Sequence, residues 1–179
     1  NFYLNLAKYL NPHFISYDTL QAENFYKIYK YDLSRKIYYK IKKKGLVYQW
    51  YAAKQISSIF LKEKKTKEAL KYIEKNYKKI ENPNEYQIYD YAEFLKNNDN
   101  YKKSIEYYSE ALKKIDKKHY LYAKITDGRG VAYERTGQWE KAELDLLDSL
   151  SAEPEQAYVI NYLAYSWIEQ GKNIERSLE

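Results

Sequence analysis

Asp127–Pro154, DGRGVAYERTGQWEKAELDLLDSLSAEP, is the stretch on which the fold turns. Gly130 is followed three residues later by Tyr133, then by Gly137, Trp139, and Ala142, Leu146 and Ser149 at helical spacing, with Pro154 closing the run. Physically this is a pair of short amphipathic helices joined by a tight turn. Gly130 and Ala142 are small where the two helices touch, and Tyr133, Trp139 and Leu146 fill the space around that contact. Gly137 stands where the first helix must end, a position suited to a residue that tolerates positive φ. Pro154 lies just past the second helix, where a missing N–H does no harm.

The same pattern returns along the chain. Small residues early in each second helix fall at Ser34, Ala69, Ser104, Ala142 and Ser177, at intervals of 35, 35, 38 and 35. Three residues before them stand Tyr31, Thr66, Tyr101, Trp139 and Ile174, and four after the first four stand Tyr38, Ile73, Tyr108 and Leu146. In the preceding helices the small residues are Ala22, Ser57, Ala92, Gly130 and Ala164, each followed three later by Phe25, Phe60, Leu95, Tyr133 or Trp167. Five columns that keep phase are the mark of a repeat array.

These columns resemble the tetratricopeptide repeat, a 34-residue helix–turn–helix with a small–x2–aromatic signature, then an Ala, an aromatic and a Pro. The resemblance covers essentially the whole chain and implies an all-α fold, a right-handed superhelical solenoid of antiparallel helix pairs with first helices on its concave side. The expected units are 15–49, 50–84, 85–122, 123–156 and a partial one over 157–179. Residues 1–14 fit the second helix of an earlier unit, with Ala7 and Pro12 in register with Ser149 and Pro154, so the chain reads as a fragment of a longer array. On that reading Leu4, Leu6 and Leu10 are left as exposed apolar surface. The 38-residue interval puts extra residues around Lys117–Leu121, in a longer helix or a longer turn after it. Lys44-Gly45 replaces the terminal Pro of the first full unit, Pro83 sits two residues late, and Gly171-Lys172-Asn173 carries one extra residue. Gln21, Tyr91 and Arg129 stand where the family commonly has Leu.

Composition narrows the function classes. Charged residues make up 31% of the 179 and apolar residues 45%, as in a folded chain, while five Gly and three Pro are too few for an all-β fold. The absence of Cys removes disulfides and thiolate metal sites, and is compatible with a bacterial cytoplasm or periplasm. No run of 18 apolar residues marks a membrane span, and NFYLNLAKYLNP has neither the basic start nor the small-residue cleavage site of a signal peptide. The two histidines, His13 and His119, are far apart and belong to no metal-binding spacing. Gly128-Arg129-Gly130 follows no strand and lacks the third Gly of a dinucleotide loop. No Ser/His/Asp set assembles, and we expect a non-catalytic protein without metal or cofactor.

The resemblance also places a candidate binding face. Its inward phase on the first helices holds Ser16, Tyr51, Tyr86, Lys124 and Tyr158, then Thr19, Lys54, Tyr89, Asp127 and Asn161, then Glu23, Ser58, Glu93, Val131 and Tyr165. Tyr is the conspicuous residue there, as in the chain at large with 24. It offers apolar area and a hydroxyl at low conformational cost, which suits a groove for a peptide or partner protein. Part of the family grips a C-terminal carboxylate with a Lys/Asn/Arg clamp. Lys54 and Lys124 occupy clamp positions here, but Ser58 and Glu93 replace the two Asn and Gly128 replaces the Arg, so Glu93 would repel such a ligand. The alternative partner is a nucleic acid or an anionic membrane. Residues 1–84 carry 18 Lys/Arg against 7 Asp/Glu, a balance of +11, and residues 85–179 carry 13 against 18, or −5. Lys40, Lys42, Lys43 and Lys44, and Lys62, Lys64, Lys65 and Lys67, cluster near turns with Tyr38, Tyr39 and Tyr48 interleaved, an arrangement that holds phosphates and stacks bases. Arg, the better phosphate ligand, occurs once in this half, at Arg35.

Overall fold

A computed structural model describes residues 2–11 and 14–171, and within them every regular element is helical. The helices are α1 (Phe2–Leu10), α2 (Ile15–Lys27), α3 (Tyr31–Lys42), α4 (Leu46–Lys62), α5 (Thr66–Tyr77), α6 (Glu85–Lys96), α7 (Tyr101–Leu112), α8 (Tyr122–Arg135), α9 (Trp139–Ala152) and α10 (Ala157–Glu169). Pro12, His13, Ile174 and Ser177 lie outside the described residues, as does the Lys172-Asn173 part of the last turn. The chain divides into two compact units, Asn1–Glu81 and Asn82–Glu179.

In the first unit α2 packs on α3 and α4 on α5, and α3 also packs on α4, so one pair covers the next. Its core gathers Ala22, Tyr38, Ile41, Ala52, Ile56 and Ile59. The second unit repeats the scheme with α6 on α7, α8 on α9 and α7 on α8, and α10 on α9. Trp139, Ala142, Leu146, Val159, Leu163 and Trp167 form a core there. No pair closes its apolar face alone, which is why stacking supplies the stability.

The small columns sit where the helices meet. Ala22, Ser34, Ser57, Ala69, Ala92, Ser104, Gly130 and Ala142 are all buried, and Ala164 is half-buried. A Cβ on Gly130 would stand 2.9 Å from Leu146 Cγ and 3.2 Å from the Ala142 carbonyl oxygen, so only Gly lets α8 and α9 approach this closely. At the opposite extreme, α1 buries no residue, and Leu6 and Leu10 are exposed, although Leu4 is half-buried.

The turn inside each pair is built by one device. Tyr29, Lys64, Asp99 and Gly137 all have positive φ, between 59° and 75°. After each, the next N–H (Lys30, Lys65, Asn100, Gln138) bonds the carbonyl of Phe25, Phe60, Leu95 or Tyr133 at 2.9 Å. The positive-φ residue itself donates to Tyr26, Leu61, Lys96 or Glu134 at 2.9–3.1 Å. This two-bond closure satisfies the last carbonyls of the first helix. Only Gly137 announces it by residue type; the other three adopt the conformation because helix packing on both sides demands it.

Some boundaries move. The one expected between 49 and 50 falls inside α4, which opens at Leu46 just after Gly45, and that between 122 and 123 falls one residue inside α8. The extra residues near Lys117–Leu121 lengthen neither helix. They form the connection 113–121, against 43–45 between α3 and α4. Pro83 precedes a capping box in which Asn84 and Gln87 exchange side-chain-to-backbone hydrogen bonds at 3.0 Å to open α6. Pro154 follows the end of α9, as its place in the repeat requires.

Candidate functional site

The triplet Gly128-Arg129-Gly130 is where the second unit is assembled. Arg129 forks onto Asp145 and donates from Nη1 to Ser109 Oγ at 3.0 Å, so it ties α8 to both α9 and α7. Where the resemblance leads one to expect a Leu, α8 carries the Arg129 end of this ion pair. Gly128 faces the other way. A Cβ there would lie 2.5 Å from the Tyr108 hydroxyl oxygen and 3.0 Å from Glu93 Oε1. The missing side chain lets Tyr108, from α7, donate its hydroxyl to Glu93 on α6, and Lys96 Nζ reaches the same Oε1 at 2.7 Å.

Asp127 adjoins this cluster on α8. Burial pushes its carboxyl above the usual range; the Lys96 charge opposes that push and the Glu93 charge adds to it. Its Oδ1 is buried and accepts no hydrogen bond. Tyr89 on α6 and Tyr158 on α10 both feel the Asp127 and Glu93 charges, and burial first, then those charges, push both phenols up. Tyr162 on α10 donates to Glu134 Oε2 on α8 at 2.7 Å. Glu93 and Lys96 of α6 thus meet Tyr108 beside Gly128, next to Asp127 on α8, and α10 joins α8 through Tyr162.

The remaining expected residues go elsewhere. Tyr86 is edge-on to His119 at 6.0 Å and tilted against Tyr120 at 5.5 Å, in a group with the 113–121 connection. Lys124 lines a cavity of about 610 Å³ with Lys117, Lys118, Tyr120 and Ser151. Asn161 and Tyr165 are exposed on α10. In the first unit Tyr51 is half-buried against the core, its ring edge-on to Tyr38 at 6.1 Å, and burial pushes its phenol up. Lys54 is half-buried and already engaged. The inward phase missed Tyr108 and Tyr162. Tyr108 comes from a second helix, and its route to this face is opened only by the absent side chain of Gly128.

No protein-family model matches the sequence, and no curated protein aligns with it. Solved structures do match. MamA superposes with a TM-score of 0.66 at 13% identity, over 88% of this chain and 88% of that one. YrrB, described as a TPR protein with an unusual peptide-binding site, gives 0.62 at 14% identity over 98% and 87%. The C-terminal part of a TPR repeat-containing protein from Cytophaga hutchinsonii gives 0.65 at 15% identity over 94% and 64%.

The chain has the tetratricopeptide-repeat fold.

Two binding schemes can be weighed on this geometry. A carboxylate clamp would need a donor at the position of Glu93, which instead brings a second negative charge beside Asp127. Phosphate binding by the basic half would draw on lysines that are partly committed. Lys42 bonds Asn76 Oδ1 and Tyr72 Oη and lies 5.1 Å from the Tyr72 ring centre. Burial, then the charges of Lys79 and Lys75, hold its ammonium below the usual lysine range. Lys44 is 3.7 Å from Asp18 and Lys65 is 3.6 Å from Glu63. Among the described residues, no group of three or more His, Asp or Glu could hold a metal ion, and no helix is long and apolar enough to cross a membrane.

Proposed function

We propose that this chain is a non-catalytic protein–protein interaction scaffold, and that its first-helix faces take an extended peptide or a segment of a partner protein. The observation that carries this reading is the way three first helices of the second unit are joined: Glu93 and Lys96 of α6 meet Tyr108 beside Gly128 of α8, next to Asp127, and Tyr162 of α10 bonds Glu134 of α8. Aromatic rings there give contact area at little entropic cost, and the carboxylates give direction to polar contacts. The likeness to YrrB, described as having a peptide-binding site, supports the same reading.

Photocrosslinking tests it. A benzophenone amino acid replaces Tyr158 or Asn161 on α10, or Leu144 on α9, and all three positions are exposed. The reading requires crosslinks to one partner polypeptide from the α10 positions and none from Leu144. Equal labelling from all three sites would overturn it.

A further inference from the structure

We infer that the cavity beside the 113–121 connection is a binding site for a phosphate monoester, with the group that carries the phosphate lying against the rings of His119 and Tyr120. The site stands whether or not the first-helix faces take a peptide. The connection breaks the repeat period, with nine residues against the three of 43–45 between α3 and α4. Insertions into a repeat array map to loops, often on the binding face. This one is braced: Lys117 Nζ bonds Asp148 on α9 at 3.1 Å, the Lys118 N–H bonds Asp116 Oδ1 at 2.8 Å, and the Leu121 N–H bonds His119 Nδ1 at 3.2 Å. Between it, the start of α8 and the end of α9 lies the cavity of about 610 Å³, inside the range of roughly 300–1,000 Å³ that small-ligand sites occupy.

The charges on the cavity wall are Lys117, Lys118 and Lys124 against Glu153, a balance of +2. Asp148, off the wall, pairs with Lys117 and brings that to +1. Among the described residues, Lys118 and Lys124 pair with no carboxylate. The start of α8 adds about half a positive charge, since the first N–H groups of a helix have no acceptor within it. No side chain caps α8, and Ala123 and Lys124 of its first turn line the cavity. The opposing end of α9 is blunted, because Gln156 Nε2 donates to the Ser149 and Glu153 carbonyls at 3.0 and 2.8 Å. A phosphate monoester, at about −1.5 to −2, offsets this balance, and its three oxygens can take several donors at once. A carboxylate brings less charge and fewer acceptors.

The basic character is local. The connection holds four Lys against Asp116, a balance of +3, in a half of the chain whose balance is −5. Phosphate alone would leave most of the cavity empty, and the rest of its wall suits a flat group. His119 and Tyr120 line it with their rings stacked at 4.9 Å, and Tyr86 lies 5.5 Å from Tyr120. Such a platform takes an aromatic ring in offset or edge contact. With Nδ1 held by the Leu121 N–H, the neutral His119 ring keeps its own N–H at Nε2 for a ligand oxygen.

The test titrates the whole chain with inorganic phosphate, phenyl phosphate, benzoate, adenosine monophosphate and a phosphotyrosine peptide, followed by amide NMR shifts. Phenyl phosphate should bind more tightly than inorganic phosphate or benzoate and shift the amides of Ala123 and Lys124. Lys118→Gln with Lys124→Gln should weaken it by about tenfold, and Glu153→Gln should tighten it. Lys67→Gln with Lys71→Gln, which removes the same charge from α5, should leave it unchanged. These side chains are all exposed, so the variants keep the fold, and unchanged thermal melts check that. Tyr120→Ala should weaken phenyl phosphate and spare inorganic phosphate. Tighter binding of adenosine monophosphate than of the peptide assigns the site to a small nucleotide, and the reverse assigns it to a modified partner; either upholds the site. No saturable shift with any phosphate, benzoate binding as tightly as phenyl phosphate, or equal losses from the two double Lys variants would overturn it.

Discussion

Arg129 and Asp145 form a two-pronged pair, Nε to Oδ2 at 2.6 Å and Nη2 to Oδ1 at 2.7 Å, between the helices of one hairpin. Asp145 is buried, and Arg129 is mostly covered. Breaking such a pair is far costlier than replacing it, because the surviving guanidinium stays largely desolvated without its partner. Asp145→Ala should lower stability by about 3 kcal/mol, whereas Arg129→Leu with Asp145→Leu should be neutral or stabilising. Urea unfolding of the single variant and the double variant checks this. Equal losses in the single and the double variant would show that the pair contributes only packing.

Ser34 gives a prediction of opposite sign. It fills a small-residue position at the α2–α3 contact, fully buried, and its hydroxyl has no hydrogen-bond partner, unlike Ser57, whose Oγ reaches the Ala53 carbonyl at 2.9 Å. An unsatisfied buried hydroxyl costs about 1–3 kcal/mol. Ser34→Ala keeps the volume the contact needs and should raise the free energy of unfolding, measured by urea denaturation, by roughly 1 kcal/mol. Ser57→Ala should not.

The turns give a third. Lys64 has φ of 60°, a conformation that costs a side-chain-bearing residue about 1–2 kcal/mol and Gly almost nothing. Against that stands the greater unfolded-state freedom of Gly, about 0.5–1 kcal/mol. Lys64→Gly should therefore stabilise by about 0.5–1 kcal/mol, while Gly137→Ala, at φ of 75°, should destabilise by a similar amount. Thermal melts of both variants give the answer.

These positions also mark what could be read from residue types. The hairpin repeat was legible because its determinants are local: a small residue, a ring three later, and the next hairpin in phase. Three of the four positive-φ turns were not, since Tyr29, Lys64 and Asp99 look like helix surface until the helices on both sides fix the turn. The face around Asp127 was half legible. Tyr89, Asp127 and Tyr158 follow from phase along the first helices. Tyr108 does not, because its hydroxyl reaches Glu93 only through the space left by Gly128, a relation between hairpins that no single repeat encodes. Tyr51 shares that inward phase in the first unit, where it is half-buried with its ring edge-on to Tyr38, a contact between hairpin helices that phase alone does not show.

Acid should loosen the first unit through one pair in particular. Arg35 on α3 bonds Glu63 at the end of α4, Nη1 to Oε2 at 2.5 Å and Nη2 to Oε1 at 3.3 Å, with the guanidinium 5.0 Å from the Phe60 ring centre. The Arg35 hydrogen bond, opposed in part by burial and reinforced by the charges of Arg35 and Lys65, holds the Glu63 carboxyl below the usual glutamate range. A carboxyl depressed in the folded state contributes stability that is fully present above its unfolded pKa of about 4.3. That contribution is lost as pH falls through the folded value. Wild-type stability should therefore drop from about pH 5 downward, and Glu63→Gln should flatten that limb while lowering stability at pH 7. Denaturation midpoints at pH 7, 5, 4 and 3 measure both changes, and an identical acid slope in the two proteins would remove the pair from the account.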